Sequence, residues 1–294
     1  MKQRIITALI MAVLLIPLVV LGGYFTLALA LFLSYVAGYE LIDMFSKKHP
    51  SMKRYRYLFP LYSVLIVLAN YFVVNNLFEF DYKFLLLLIL GVFVSIFLIC
   101  LRDSSLKMSY SGLFIVTFFY SGLCVACLTS IRYITTIKDI LSDARYLGLF
   151  LLIYLCVSTM ATDAGAYFVG IKFGKHKLCP LISPKKTVEG SIGGSIIGAV
   201  FGSLTYILIE RYYGFSLFGI DNQLVNIICI FFYTGIITVV GQVGDLVASK
   251  FKREAEIKDY SNIFPGHGGV LDRFDSLLLT GTMMYLVFLF IGVL

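Results

Sequence analysis

Four aspartates stand next to apolar segments and are the first residues of this sequence to suggest chemistry. Asp163 lies within one apolar segment and Asp245 ends another, while Asp272 and Asp275 stand three residues apart at the start of a third. That spacing places the last two on one face if a helix has begun there. Each acid could simply form an ion pair with a nearby Lys or Arg, because an unpaired charge is costly in hydrocarbon. Four acids beside apolar segments are more than ion pairs at helix ends require, and we therefore expect them to form a shared functional site.

The side chains available predict which cation such a site would bind. Carboxylates and phosphates are the ligands that Mg²⁺ prefers, whereas zinc prefers His and Cys. The chain has only three histidines, His49, His176 and His267, so zinc is disfavoured. We predict Mg²⁺ bound by one to three aspartates and by the phosphates of a substrate.

Basic residues follow the same segments in two clusters. Positive charge near membrane helices can reflect topology alone, but Asp, Mg²⁺ and Lys together are typical of phosphoryl or nucleotidyl transfer. We predict that Lys185 and Lys186 bind the phosphates of one substrate, and that Lys252, Arg253 and Arg273 bind those of the other. The clusters comprise Lys172, Lys175, Lys177, Lys185 and Lys186, and then Lys250, Lys252, Arg253 and Lys258.

The segment Pro265-Gly-His-Gly-Gly269 supplies glycines whose backbone N–H groups can approach an anion closely. Gly268 and Gly269 are therefore candidate substrate-binding residues. His267 could donate to a phosphate or hold the loop. Ser249 and Thr187 could bind a phosphate or cap the adjoining helices. The segment from Gly170 to His176 lacks the spacing and the Ser or Thr of a P-loop, which disfavours an ATPase of that kind.

The elements that must position these residues are membrane helices. The chain is 60% hydrophobic and 14% charged, against about 45–50% and 25% in soluble domains. The net charge is +7, and the basic residues lie between the apolar segments. This distribution favours an anionic membrane surface or a phosphorylated substrate as the binding partner, rather than nucleic acid. We predict an all-α polytopic membrane protein of about nine spans. Their approximate bounds are Ile5–Leu21, Phe25–Phe45, Tyr57–Val74, Phe84–Leu101, Ser111–Ile131, Leu147–Val169, Ile192–Ile209, Leu224–Val247 and Leu277–Leu294.

Charge orients this stack of helices. With the N-terminus in the cytoplasm, 19 of the 24 basic residues fall on the cytoplasmic side and 5 on the other, and the C-terminus lies outside. We divide the chain into a membrane region 1–145 and a catalytic region 146–294, whose cytoplasmic loops span 170–190 and 248–276. Glycines at 190, 194, 198 and 202 form one face of a helix, which predicts close packing against another span or a second copy.

One stretch of 27 residues, from Ser249 to Asp275, resembles the signature of phosphatidate cytidylyltransferases (CDP-diacylglycerol synthases). It reads Ser-Lys-Phe-Lys-Arg253, then Lys258-Asp259, then Phe264-Pro-Gly-His-Gly-Gly269-Val-Leu-Asp272-Arg-Phe-Asp275. Two earlier stretches, Asp163-Ala-Gly-Ala-Tyr167 and Ile182-Ser-Pro-Lys-Lys-Thr187-Val-Glu-Gly190, also resemble that family. The resemblance covers roughly the C-terminal half of the chain.

The resemblance implies an enzyme that converts CTP and phosphatidate to CDP-diacylglycerol and pyrophosphate with Mg²⁺. It also implies a homodimer and a second cation. The metal-binding acids of the family fall at Asp245, Asp272 and Asp275, with Asp163 a further functional acid. Because CTP is cytosolic and phosphatidate lies in the leaflet, we expect the site at the cytoplasmic face of the cell membrane.

Three alternatives remain at this point. A cytidylyltransferase for another lipid phosphate would use the same chemistry. A cation-coupled transporter would also carry intramembrane aspartates, but it predicts inverted repeats, and none is visible in the sequence. A catalytically silent scaffold is disfavoured because all four aspartates are present.

Overall fold

The computed structural model describes residues 2–77, 81–134, 146–214 and 218–291, with side chains from residue 6. The chain forms two compact units, one of Met1–Tyr133 with Phe251–Phe274 and one of Ile134–Lys250 with Asp275–Leu294. Two of the five basic residues counted on the outer side, Lys138 and Arg145, lie outside the described residues, as does Leu294 at the end of the last predicted span. The proposed division at residue 145 stays a prediction.

Helices make up most of the described chain. Two short antiparallel strands pair Lys177 with Thr187 and Cys179 with Ser183. A 3₁₀ turn covers Pro50–Tyr55, and a π-helical turn, Phe119–Leu123, separates α5 from α6. The elements are α1 Lys2–Leu21, α2 Gly23–Lys48, α3 Phe59–Val74, α4 Tyr82–Arg102, α5 Tyr110–Phe118, α6 Cys124–Arg132, α7 Leu147–Phe173, β1 Lys177–Cys179, β2 Ser183–Thr187, α8 Val188–Tyr213, α9 Gln223–Glu254 and α10 Leu271–Ile291.

The all-α polytopic architecture is confirmed. Within the described ranges, seven helices are long and apolar enough to cross a membrane, the segment Tyr110–Arg132 counting as one. Two shorter apolar helices, Ile6–Leu21 and Phe59–Val74, fall at the first and third predicted spans. The count of nine spans and the orientation of the termini stay predictions.

Helix ends in both units follow local sequence chemistry. In the first unit, Asp81 caps α4 by accepting hydrogen bonds from the backbone N–H groups of Lys83 and Phe84. Gly22 has a φ of 73°, a conformation open to glycine, and it permits the tight turn between α1 and α2. In the second unit, Gly214 ends α8 in the left-handed conformation with a φ of 66°.

The glycine face of α8 packs against α7 of the same chain. A Cβ at Gly194 would meet the carbonyl of Thr162 at 2.6 Å, and one at Gly198 would meet the carbonyl of Ser158 at 3.0 Å. Side chains at these positions would therefore hold the two helices apart. The packing role predicted for this face is confirmed, and its partner is a span of the same chain.

The two predicted cytoplasmic loops contain helix ends as well as loop residues, and their position relative to the membrane stays a prediction. The segment 170–190 contains the end of α7 at Phe173, the β1–β2 hairpin and the start of α8 at Val188. The segment 248–276 contains the last turns of α9, to Glu254, and the first turn of α10, from Leu271. Hydropathy marks only the apolar part of a helix, and a helix rich in Lys and Arg can continue beyond it because long basic side chains reach water.

Candidate functional site

In the second unit, an ion pair joins two residues that the sequence singled out for different ligands. Lys186 Nζ of β2 lies 2.5 Å from Asp245 Oδ2 of α9, and each side chain is 28% exposed. Ser249, one turn later on α9, donates its hydroxyl to Asp245 Oδ1 at 3.3 Å. Asp245 was predicted to bind metal and Lys186 to bind phosphate, and the structure shows these two side chains bound to each other.

Asp163 of α7 lies within electrostatic range of both members of this pair. It lines a cavity of about 440 Å³. Lys177, Lys185 and Lys186 of the hairpin also line it, so the cavity has an acid on one helix and three basic side chains on the hairpin. Such a charge distribution suits an anionic ligand together with a cation.

Neighbouring side chains fix the frame of this cavity. Thr187 accepts a hydrogen bond from Gly190 N and so caps α8, as one of the two alternatives for this residue predicted. Gln242 of α9 donates to Ser195 Oγ at 2.7 Å and accepts from Ser191 Oγ at 2.6 Å. Both hydrogen bonds tie α9 to α8 at the cavity wall. Sequence reasoning missed Gln242, although an amide inside an apolar span was a visible signal.

Glu189 anchors the start of the hairpin on α8. Its carboxylate accepts hydrogen bonds from Lys175 N at 3.1 Å and from His176 N at 3.2 Å, and it contacts His176 Nδ1 at 2.6 Å. The lysines of the hairpin are therefore carried on a segment held at both ends, by Glu189 and by the Thr187 cap.

In the first unit, Asp272 forms the counterpart pair with Lys252. Lys252 Nζ donates to Asp272 Oδ1 at 2.7 Å, and the two side chains are only 16% and 3% exposed. Asp272 Oδ2 accepts from Tyr260 N at 2.8 Å and from Gly269 N at 2.9 Å. The carboxylate thus has a lysine on one oxygen and two backbone donors on the other.

The glycine-rich segment folds against this carboxylate. Gly266 and Gly268 have φ values of 77° and 84°, which favour glycine, and a Cβ at Gly268 would meet Asp272 Oδ2 at 2.6 Å. Gly269 N–H does approach an anion, but that anion is Asp272. His267 Nδ1 is buried and has no hydrogen-bond partner among the described residues. Substrate binding by this loop stays a prediction.

The remaining predicted residues are placed as follows. Lys185, Lys258, Arg253 and Arg273 have exposed side chains, as side chains that meet a soluble nucleotide must. Asp275 belongs to the second unit, where a Cβ at Gly244 would meet its backbone carbonyl at 2.7 Å. Asp275 therefore lies against the segment of α9 that carries Asp245.

These aspartates fit a hard cation that a substrate helps to bind. In the described part of the chain, no three His, Cys, Asp or Glu side chains form a ready-made metal cluster. Mg²⁺ commonly takes only one or two carboxylates from the protein and fills its other positions with substrate phosphates and water. The carboxylate oxygens of Asp163 and Asp245 fit this type of coordination.

Glu40 is the acid that sequence reasoning overlooked. It lies in α2, is 1% exposed, and accepts hydrogen bonds from Val270 N and Leu271 N at the start of α10. The test that singled out Asp163, an acid inside an apolar segment, applies equally to Glu40.

Comparison with known proteins places the whole chain in one family. A sequence model of the Cytidylyltransferase family matches residues 2–291. The phosphatidate cytidylyltransferase of Bacillus subtilis (strain 168) is 33% identical over 286 residues, covering 97% of this chain and 96% of that protein. Those of Staphylococcus saprophyticus and Staphylococcus aureus (strain COL) are each 32% identical, over 95% of both chains. This chain therefore belongs to the cytidylyltransferase family and is a multi-pass membrane enzyme of the nucleotidyltransferase class.

Proposed function

We propose that this enzyme transfers the cytidylyl group of CTP to phosphatidate, forming CDP-diacylglycerol and pyrophosphate in phospholipid biosynthesis. The observation that carries the proposal is the Lys186–Asp245 pair beside a cavity with three lysines. The pair supports the proposal because a residue predicted to bind a cation and a residue predicted to bind phosphate lie 2.5 Å apart, so that one bound molecule could contact both. Relatives that carry this activity by name and span nearly the whole chain support the choice of substrates.

The reaction requires two polyanions to approach each other. An oxygen of the phosphatidate phosphate attacks the α-phosphorus of CTP, and the bond from that phosphorus to the bridging oxygen breaks as pyrophosphate leaves. A phosphate monoester is already largely anionic near pH 7, so the nucleophile needs no strong general base. The task left to the protein is to position the phosphates and offset their charge.

Lysines and arginines of this chain would position the phosphates and offset their charge. When phosphates enter the cavity, Lys186 can turn from Asp245 to a phosphate oxygen, together with Lys185 of the same strand. In the first unit, Arg253 and Arg273 are exposed, and we propose that they contact phosphates. Lys252 holds Asp272 Oδ1 at 2.7 Å and would have to give up this contact for Asp272 to bind a cation through that oxygen.

A divalent cation requirement fits the family, and we propose that the cation is Mg²⁺. Asp245, with Asp163 nearby, would hold it in the second unit, and Asp272 and Asp275 are the further candidate ligands. Bound Mg²⁺ would polarise the α-phosphoryl group and stabilise the leaving pyrophosphate.

Orientation and assembly complete the proposal. In the predicted topology, 19 of the 24 basic residues lie on the same side of the membrane as the segments that carry the motifs, which supports a site on the cytoplasmic face of the cell membrane. A homodimer and a second cation are implied by the resemblance alone. Mass measurement of the detergent-solubilised protein tests the dimer.

The test uses purified protein in detergent with radiolabelled CTP, Mg²⁺ and either phosphatidate or a polyprenyl phosphate. We expect labelled CDP-diacylglycerol and an equal amount of pyrophosphate, from phosphatidate only. A labelled product from the polyprenyl phosphate instead would identify a different lipid substrate, and no product from either lipid would refute the proposal.

A further inference from the structure

Glu40 is a buried acid with no place in the reaction just described. It lies on α2 with 1% of its surface exposed. Its Oε1 accepts hydrogen bonds from Ser261 Oγ at 2.5 Å and from Val270 N at 2.9 Å, and its Oε2 accepts from Leu271 N at 3.0 Å. Among the described residues, the three groups that hydrogen-bond to this carboxyl group are all donors, an arrangement that a carboxylate can satisfy.

These donors show what the charge does. Leu271 is the first residue of α10 and Val270 precedes it, so both N–H groups belong to a helix start that has no intrahelical partners for them. A carboxylate at this end is also favoured by the helix dipole. Glu40 therefore caps α10 from another helix, and Gly269 leaves it room, because a Cβ there would overlap the carboxylate.

The donors to Glu40 alternate along the chain with the donors to Asp272. Tyr260 N donates to Asp272 and Ser261 Oγ to Glu40, while Gly269 N donates to Asp272 and Val270 N to Glu40. The consecutive residues Tyr260 and Ser261, and again Gly269 and Val270, thus each bind one of the two carboxylates. A shift of the backbone at Glu40 would move the donors of Asp272 with it.

We propose that Glu40 is a positioning residue for the reaction, which sets the geometry of Asp272 through the start of α10 and the segment at Ser261. This inference rests on the proposed function, because it assumes that Asp272 acts on the cation or the substrates. Glu40 itself touches neither.

Arg132 offers a matched control within the same unit. It is also a buried charge, 4% exposed, that caps a helix end from another helix. Its Nε donates to Val19 O at 2.7 Å and its guanidinium also donates to Val20 O at 3.0 Å, at the end of α1. None of the predicted site residues lies on α1, and the cap is at the opposite end of that helix from Thr7, which donates to Pro265 O at 3.0 Å. Loss of the cap should therefore act on the stability of the unit before it acts on the site.

The experiment compares Glu40→Gln with Arg132→Gln in the CTP and phosphatidate assay across Mg²⁺ concentrations, with thermal stability measured in parallel. Glutamine keeps the shape of Glu40 but turns one acceptor into a donor that faces an N–H group. We expect Glu40→Gln to raise the Mg²⁺ concentration for half-maximal activity about 10- to 100-fold, as loss of a group that orients a metal ligand does. Arg132→Gln should lower thermal stability and leave the Mg²⁺ dependence unchanged.

Ser261→Ala keeps the inference testable if Glu40→Gln does not fold. It removes one of the three donors to Glu40 and should shift the Mg²⁺ dependence in the same direction by a smaller factor. Wild-type Mg²⁺ dependence in whichever of the two variants folds would overturn the inference. An inactive wild-type protein would instead refute the proposed function, so the two failures are distinct.

Discussion

The two Asp–Lys pairs use the same residue types in opposite surroundings. Lys186 and Asp245 in the second unit are each 28% exposed, at the edge of a cavity, and Asp245 has one further donor, Ser249. Lys252 and Asp272 in the first unit are 16% and 3% exposed, and Asp272 also accepts from two backbone N–H groups.

The difference in burial separates two roles that the sequence could not distinguish. A partly exposed pair contributes little to stability, because water already solvates both charges, and it can exchange its partner for a ligand at low cost. A buried pair strongly destabilises the protein when one member is removed, because the other charge is left without a partner. We therefore expect the Asp245 pair to serve ligand exchange and the Asp272 pair to hold structure as well.

Asp245→Asn should have the largest effect on catalysis. We expect activity to fall about 10²- to 10³-fold, the cost of removing one preorganised electrostatic contact, with a stability loss below about 1 kcal/mol. Activity and thermal stability of the detergent-solubilised protein, the latter by size-exclusion chromatography after heating, provide the comparison. Equal losses of both would mean that the pair is structural.

Asp272→Asn should lower stability and activity together. Removing the buried charge leaves Lys252 without its charged partner, which costs about 3 kcal/mol. The amide also keeps only one oxygen for donors that use both oxygens of Asp272, namely Lys252 Nζ on one side and Tyr260 N and Gly269 N on the other. The same heating experiment should show earlier loss of the folded peak than in Asp245→Asn. If Asp272→Asn proved as stable as the wild type, the contrast between the pairs would fail.

Lys186→Met should act mainly on substrate binding. A lysine that contacts phosphate contributes a charge-assisted hydrogen bond, and its loss should raise the KM of an anionic substrate about 10-fold or more. The Mg²⁺ concentration for half-maximal activity should not rise, because the variant removes the lysine that pairs with Asp245. Steady-state kinetics with CTP and with phosphatidate varied in turn will identify the substrate affected. Unchanged KM values for both would remove Lys186 from the binding site.

Asp103 is an acid with no predicted catalytic role, and its substitution should have the smallest effect on the enzyme. Hydrogen bonds from Ser105 Oγ and from the Tyr55 hydroxyl lower the pKa of this carboxyl to about 2, against about 3.9 in an unfolded chain. The stability that this shift supplies is therefore present above about pH 4 and is lost as pH falls through about 2.

Asp103→Asn should therefore flatten the fall in thermal stability between about pH 4 and pH 2 and leave activity at pH 7 unchanged. Heating series at several pH values across this window check the first point. A stability profile identical to that of the wild type would show that the hydrogen bonds to Asp103 contribute nothing to folding.

The sequence predicted the elements of the fold better than the contacts between them. Hydropathy and the glycine spacing of α8 predicted membrane helices and close packing, because both depend on patterns within one element. The pairing of Lys186 with Asp245 joins a strand to a helix 59 residues later, and no local pattern encodes it. The extent of α9 to Glu254 was missed because its last turns are too polar for hydropathy to mark.

Glu40 shows a different limit. It was visible as an acid in an apolar span, but its partners, Val270 and Leu271, lie 230 and 231 residues away. Backbone donors carry no sequence signature, so only the fold reveals that this carboxylate caps α10.

A charge exchange tests the central claim, that Asp245 and Lys186 serve different ligands, most directly. The double variant Lys186→Asp with Asp245→Lys keeps an ion pair in the same place but reverses which element carries the cation ligand. We predict that this protein survives heating as the wild type does and forms no CDP-diacylglycerol beyond the level of Asp245→Asn. Recovery of activity toward that of the wild type would contradict the account, because it would show that the pair is needed only as a pair.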